Sequence, residues 1–417
     1  MRQAAGAALA AMLIGGGLSP ALAADEATGP VIFDMDTMRF KQDEKNPSGT
    51  IQQVEGKFGK ALRFDFNEIK DGTSKFFMGY TKTPPEADQC QGLSFWLKGD
   101  GSDNFACLEL IDESNYGLRY DYAFPIKPTE WTKITVPWRD FLPILAGPLI
   151  DGKDGFKPSR FGAYWLGKFY YWPSKPAIGF ALDQIALEKT IAVDTTDYTP
   201  AGDPLARLRA KLQAKKPITF VSMGDSLTDK KHNSNANAKT WAEQLAAKIK
   251  EKYGSEVTYV NPALGGRGLT QCAVLMPLWV KDAPQPDLVT VFFGGNDYDN
   301  FVAQKVGEED MGKQFAAYQA ATVDRIRRLT KGSADVMLMT TAPGFKRWDT
   351  YKPLVDATKA VAKEKKAALA DVDAAFHAAG TAEVAVKAGY WHWDNVHMGP
   401  KGHEVICETV LKAIEGK

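Results

Sequence analysis

The stretch ITFVSMGDSLTD, residues 218–229, passes from an apolar run directly into Gly224, Asp225 and Ser226. Ile218 to Met223 reads as a buried strand. Gly, Asp and Ser are the usual residues of tight turns, so the tripeptide taken alone reads first as a strand-to-loop turn. The elements downstream of it decide the fold. TWAEQLAAKIKEKYG (240–254) is a helix with Trp241, Leu245, Ile249 and Tyr253 on one stripe and Gly254 as its stop. EVTYVN (256–261) is a strand. DLVTVFFGG (287–295) is an almost wholly apolar strand, as expected of one covered on both faces. GKQFAAYQAATVDRIRRLT (312–330) is a helix that turns Phe315, Tyr318, Thr322, Ile326 and Leu329 inward. ADVMLMTTAP (334–343) is a strand, KPLVDATKAVAKEKKAAL (352–369) a helix, and GHEVICETVLKAIEG (402–416) a closing helix. Strands alternating with helices predict a parallel sheet covered on both faces, with ligands held beyond the carboxyl ends of the strands.

Upstream the period changes. From Val31 to Ile191 short aromatic-rich runs such as GLSFWLKG (92–99), FACLELID (105–112), WTKITVPW (131–138) and AIGFALDQIALE (177–188) are separated by polar turns. That spacing predicts an all-β sandwich or barrel. A turn near Gly99–Gly101 reads as a hairpin, which would set Cys90 opposite a residue near Asp112 and not opposite Cys107. No disulfide is assigned among Cys90, Cys107, Cys272 and Cys407. DTTDYTPAGDP (194–204) reads as a linker, and LARLRAKLQAKK (205–216) as a short helix with Leu205, Leu208 and Leu212 on one face.

The chain has 417 residues, with 51 Lys and Arg balanced by 51 Asp and Glu. A net charge of zero gives no support for a nucleic-acid partner. At the N-terminus, Arg2 precedes an uncharged Ala/Gly-rich run that Pro20 breaks and that ends in a small-residue ALAA site. This predicts a cleaved leader over 1–24, an exported mature chain beginning near Asp25, and a periplasmic or secreted location. The weaker alternative is a membrane anchor. The divisions expected are thus a leader (1–24), a sandwich (25–194), a linker with a short helix (195–216) and an α/β domain (217–417).

Each strand of the α/β half ends in residues suited to chemistry. The first ends in Gly224-Asp225-Ser226, the second in NPALGGRG (261–268) and the third in GGND (294–297), and HWDNVHMGPKGH (392–403) stands before the last helix. Strand ends on one edge of a parallel sheet converge, so these four segments can line one cleft. A serine hydroxyl needs a base, a neutral imidazole suits that role, and the imidazole needs a carboxylate on Nδ1. Ser226, His397 and Asp394 supply these three groups as nucleophile, base and orienting acid. Backbone N–H groups of Ser226 and Gly266, with the Asn296 amide, are candidates for the oxyanion, Gly265 being the alternative to Gly266. There is no G-x-S-x-G, because residue 228 is Thr, and neither nucleotide-binding glycine motif is present. A metal gathered by His392, Asp394, His397 and His403 would leave Ser226, Gly266 and Asn296 unexplained. The chemistry needs no metal and no organic cofactor. His232 and His377 read as loop or surface residues, and His403 as structural.

In order and in residues, GDSLT, NPALGGRG, GGND and DNVH resemble the blocks of the SGNH, or GDSL, hydrolase superfamily. The resemblance covers 217–417. It implies a flavodoxin-like three-layer α/β fold with a parallel sheet, and a serine esterase using the residues just named. The first half resembles, more loosely, the galactose-binding-like jelly rolls found as carbohydrate-binding modules, on VIFDMD, FWLKGDGS, EWTKITVPW and FALDQIALE. Such modules often hold a structural calcium; Asp34, Asp36 and Asp183 are available oxygen donors, and no ligand set is assigned. The aromatic run from Phe161 to Trp172, which includes Trp165, Tyr170 and Trp172, reads either as sandwich core or as a sugar-stacking platform. Trp391 and Trp393, flanking His392, are expected at the cleft. The resulting expectation is an exported esterase that removes O-acyl, foremost acetyl, groups from a carbohydrate. A lipid or aryl esterase of the same mechanism and a non-catalytic carbohydrate-binding protein are the alternatives.

Overall fold

A computed structural model of the chain describes residues 29–42, 47–69, 75–150, 156–168, 176–235 and 238–417. The segment read as a leader, and Tyr170 and Trp172, lie outside these residues.

Among the described residues the first half is built from strands, apart from short 3-10 turns. In chain order they are β1 (Val31–Phe33), β2 (Phe40–Gln42), β3 (Gly49–Glu55), β4 (Lys60–Phe66), β5 (Lys75–Tyr80), β6 (Gly92–Lys98), β7 (Phe105–Asp112), β8 (Arg119–Pro125), β9 (Thr132–Pro137), β10 (Leu142–Pro143), β11 (Phe161–Lys168) and β12 (Ile178–Glu188). One antiparallel sheet runs β3-β4-β12-β6-β9, with β1 also on β12, and the other runs β10-β8-β7-β11-β5-β2. Phe64, Phe77, Phe95, Phe124 and Phe180 fill the space between the sheets. The Gly99–Gly101 turn is not a hairpin: β6 pairs with β9 and β12, while β7 pairs with β8 and β11. The turn carries the chain from one sheet to the other, with Gly99 and Asp100 N–H held by Pro128 and Ile126 carbonyls. All four cysteine thiols are free and buried. Among the described residues no three Asp, Glu, His or Cys side chains converge as a metal-holding group. Asp36 and Asp183 instead accept the N–H groups of Lys60 and Phe58, each at 2.7 Å, and tie down one turn.

The second half is a parallel sheet with helices on both faces. After α1 (Ala206–Gln213) its elements are β13 (Ile218–Gly224), α2 (Trp241–Tyr253), β14 (Val257–Val260), α3 (Leu269–Val274), α4 (Met276–Val280), β15 (Leu288–Phe292), α5 (Gly295–Ala303), α6 (Glu308–Leu329), β16 (Asp335–Met339), α7 (Lys352–Glu364), β17 (Ala368–Ala370), α8 (Val372–His377), α9 (Ala382–Lys387) and α10 (Pro400–Glu415). The strand order β14-β13-β15-β16-β17 places the first strand inside the sheet, the flavodoxin-like order with its ligand site at the strand carboxyl ends. Thr240 and Glu243 cap α2 reciprocally, and Gly254 closes it in the left-handed region at φ 71. Ala368–Ala370, read from sequence as the end of a helix, is an edge strand paired with β16. Among the described residues no helix is long and apolar enough to cross a membrane.

The two halves share a core. Cys107, Ala123, Leu142 and Ile144 of the sandwich are buried together with Leu269, Cys272, Phe301 and Tyr318 of the α/β half. The Tyr318 hydroxyl donates to Gly147 O at 2.6 Å, and Asp140 accepts from Arg325 and Arg328 at 2.9 and 2.7 Å.

Candidate active site

The turn after β13 is fixed by its own side chains. A Cβ at Gly224 would sit 2.4 Å from Thr228 Oγ1, so the chain can leave the strand there only as glycine. Asp225 O accepts the N–H groups of Thr228 and Asp229, and Asp225 Oδ1 accepts that of Leu227 at 2.9 Å. Burial pushes the Asp225 carboxyl up to about 6, against the Leu227 hydrogen bond and the His397 charge. Thr228 Oγ1 accepts from the Trp241 indole at 3.1 Å, which locks the turn to α2. Ser226 stands at the tip.

His397 comes from the loop between α9 and α10. That loop folds back on itself, with His392 N–H bonded to His397 O at 2.8 Å and Asn395 left-handed at φ 59. Asp394 Oδ1 accepts the N–H groups of Val396 and His397, each at 2.9 Å, and its Oδ2 accepts His397 Nδ1–H at 2.7 Å. Burial acts to raise the Asp394 carboxyl, but these hydrogen bonds together with the His397 charge outweigh it and hold the group below its usual range. With Nδ1 donating, His397 Nε2 is left to accept, and it lies 3.0 Å from Ser226 Oγ. The sequence-predicted trio is therefore joined by hydrogen bonds in the order Ser226, His397, Asp394.

The other two strand ends meet the same point. Leu264 N–H bonds to Gly224 O, and Asn261 Nδ2 donates to Thr228 O at 3.0 Å, so the loop after β14 lies against the Ser226 turn. Of the two glycines read as candidates, Gly265 has its N–H taken by Asp229 Oδ2 at 3.0 Å, and Gly266 stands in the left-handed region at φ 71. Gly294 has φ 136, and a Cβ there would fall 1.9 Å from Thr341 Oγ1. That conformation starts α5 and brings Asn296 beside Arg267 O, at 3.1 Å from its Nδ2. Asp297 is buried and accepts Leu269 N–H at 2.9 Å. Burial pushes its carboxyl up to about 7.

These groups open onto a cleft of about 330 Å³ whose lining includes Ser226, Asn296, Asp299, Arg347, Tyr351 and Asn395. Asp299 and Arg347 pair at 2.7 Å, and Arg347 also donates to the Tyr351 hydroxyl at 3.1 Å. Sequence reasoning missed this wall, because no motif marks Asp299, Arg347 or Tyr351. Every described lining residue lies after Pro217 in the chain. The tryptophans expected at the site divide. Trp393 is 91% exposed. Trp391 is a correction: it is buried against Trp348, Tyr390 and Phe376, with its indole N–H on Pro343 O. Trp165 is another, since it is buried on the outer face of the second sheet and stacked on Phe76 at 4.4 Å. Neither offers a free ring face to a sugar. His403 is buried; it accepts Trp241 N–H on Nδ1 and donates from Nε2 to Asn235 Oδ1, and burial pushes it down to about 4. His377 rests against Asp349 and Asp373 at the surface. His232 is not a plain loop residue: its ring stacks on that of His397, centroids 4.3 Å apart.

The class this fold defines is a flavodoxin-like α/β domain, with a serine, a histidine and an acid joined by hydrogen bonds at the carboxyl ends of its strands. Residues 222–405, a little under half of the chain, match the family described as GDSL-like Lipase/Acylhydrolase, a match that supports an ester hydrolase. No curated protein matches the chain. Among solved structures it is similar to a variant of an acetyl xylan esterase from Geobacillus stearothermophilus, at 22% identity and a TM-score of 0.37 over 48% of this chain and 96% of that one. A GDSL-like lipase from Parabacteroides merdae gives 20%, 0.37, 48% and 97% in the same order. The protein YxiM of Bacillus subtilis gives 12% and 0.40, over 91% of this chain and 88% of that one.

Proposed function

We propose that the chain is an exported serine esterase that removes O-acetyl groups from a carbohydrate. The reading rests on one observation above all: the hydrogen-bonded series Ser226 Oγ, His397 Nε2, His397 Nδ1 and Asp394 Oδ2, at 3.0 and 2.7 Å, at the edge of the cleft. Ser226 Oγ attacks the ester carbonyl and its proton passes to His397 Nε2. Asp394 holds the imidazole in the productive tautomer and stabilises the cation. The oxyanion is met by the N–H groups of Ser226 and Gly266 and by Asn296 Nδ2. His397 returns the proton to the leaving alcohol oxygen. Water, deprotonated by His397, then attacks the acyl-enzyme, releasing the acid and restoring Ser226.

The shape of the cleft favours a small acyl group and a polar alcohol. Its wall of Asp299, Arg347, Tyr351 and Asn395 offers donors and acceptors for sugar hydroxyls. A more apolar cavity of about 460 Å³, lined by Leu264, Leu275, Leu278 and Trp279, lies behind the loop after β14, and none of its lining residues belongs to the Ser226 cleft. It does not extend the acyl site, which argues against long acyl chains. The test is acetate release from a panel of acetylated polysaccharides alongside p-nitrophenyl esters of increasing chain length, with Ser226→Ala as control. Acetyl preference and polysaccharide deacetylation, both lost in Ser226→Ala, are the expected result. Wild-type turnover by folded Ser226→Ala would overturn the mechanism. A preference for long acyl chains would overturn the substrate.

A further inference from the structure

We propose that His232 is a positioning residue for His397, a ring that lies against the face of the catalytic imidazole and fixes its plane. The inference rests on the Ser226–His397–Asp394 reading. Hydrogen bonds at Nδ1 and Nε2 hold the His397 ring at two points, and these define an axis about which the ring can still tilt. Contact with its face removes that freedom. The His232 ring makes such a contact, with centroids 4.3 Å apart and planes 26° from parallel.

The loop that carries His232 is itself held fast. His232 Nδ1 lies 2.8 Å from Ser234 Oγ, and Ser234 O accepts from His392 Nε2 at 2.9 Å. Asn235 Nδ2 donates to Ser226 O at 2.9 Å and to Asp229 O at 2.7 Å, while its Oδ1 accepts from buried His403. The other edge of the His232 ring rests on the glycine loop, where a Cβ at Gly265 would come 2.9 Å from His232 Cδ2. One rigid loop thus ties the nucleophile's own carbonyl, the glycine loop and the face of the base together. Four of the five histidines in the chain take part in this arrangement.

The ring also bears on charge. In the transition state His397 becomes a cation, and a neutral aromatic face beside it is attractive. The charged groups acting on His232 are His397, Asp229 and Asp394; burial, then the His397 charge, lowers its proton affinity against the two carboxylates. Burial thus favours the neutral ring. When it is protonated at lower pH it opposes the positive charge forming on His397.

The test compares His232→Ala and His232→Phe, with thermal unfolding of each, using p-nitrophenyl acetate. The alanine variant is expected to lose about ten- to a hundredfold in kcat with KM nearly unchanged, since misplacement of a reacting group acts on the chemical step. The phenylalanine variant keeps a ring face and is expected to recover most of that loss. Wild-type kcat in a folded His232→Ala, or equal losses in both variants, would each overturn the proposal. Ser226→Ala separates the two levels. If it retains turnover, the catalytic reading fails; if it is inactive while His232→Ala works at the wild-type rate, only the role of His232 fails.

Discussion

Replacing Asp394 by Asn removes one charge and one acceptor while keeping the side chain's size. The geometry sets what that does. Asp394 Oδ1 accepts two backbone N–H groups and Oδ2 accepts His397 Nδ1–H, so every contact the carboxylate makes needs an acceptor. An asparagine has one. If its oxygen stays on Val396 and His397 N–H, its NH2 faces Nδ1. His397 must then accept there and carry its proton on Nε2, pointing at Ser226 Oγ in the wrong tautomer for a base. If the amide flips, the NH2 faces two backbone donors, at about 1 kcal/mol for each hydrogen bond lost.

The charge adds to this. The two side chains are about a fifth to a quarter exposed, so an effective dielectric between about 20 and 80 applies. With charge centres about 4 Å apart, the lost attraction for the imidazolium is about 1–4 kcal/mol, or roughly five- to a thousandfold in rate. With the tautomer penalty, kcat for p-nitrophenyl acetate is expected to fall about 10²–10⁴-fold, while KM changes little. Because the asparagine oxygen can still hold the loop's backbone amides, the melting temperature should move by only a few degrees. A folded Asp394→Asn within about threefold of wild-type kcat would refute the assignment of Asp394 as the orienting acid.

Two other outcomes concern the same site. Gly294→Ala would force a Cβ to 1.9 Å from Thr341 Oγ1 at φ 136; a stability loss of about 2–4 kcal/mol in urea unfolding and loss of esterase activity through displaced Asn296 are expected, and a neutral result would remove the strain argument. Asp297 is buried with its folded-state carboxyl raised to about 7, so above about pH 4 the unfolded state releases a proton that the folded state keeps, and stability falls as pH rises from about 4 to 7; Asp225, raised to about 6, adds to the same slope, so Asp297→Asn should make the slope shallower without abolishing it and should raise stability at pH 8 by at most about 4 kcal/mol, and an unchanged slope would count against it.

Period makes the two halves legible. The stripe Trp241, Leu245, Ile249 marks α2, and the unbroken apolar run Leu288–Phe292 marks a strand covered on both faces. The four chemical segments are legible together because parallel strands deliver their carboxyl ends to one edge. Other features have no signature along the chain. Ala368–Ala370 is too short to show a period and comes after a Lys-rich helix, so it reads as more helix. The Gly99–Gly101 turn has hairpin residues, but which sheet the next strand joins is decided by long-range pairing. A tryptophan has the same letter whether its ring is covered, as at Trp391, or free, as at Trp393. The stacking of His232 on His397 joins residues 165 positions apart, and neither carries a motif for it.

The shared core gives the sandwich a part in the site that its sequence does not suggest. α3 begins at Leu269, directly after the loop that carries Gly265 and Gly266, and its N-terminal amide is held by Asp297, the neighbour of Asn296. Leu269, Cys272 and Ala273 on this helix are buried in one cluster with Cys107, Ala123 and Leu142 of the sandwich. A six-residue helix is too short to hold its own position in water, so its place is set by what it packs on. Of the proposed oxyanion donors, Gly266 therefore lies in the loop that leads into a helix the sandwich supports from behind, and Asn296, in the first turn of α5, neighbours the residue that holds that helix's N-terminus. Arg325 and Arg328 on α6, clasped by Asp140, and Tyr318 on Gly147 hold the same two bodies in fixed register. Although all the described cleft residues come from the second half, in the proposed mechanism the placement of the oxyanion donors rests in part on the first, because α3 is packed on the β-sandwich.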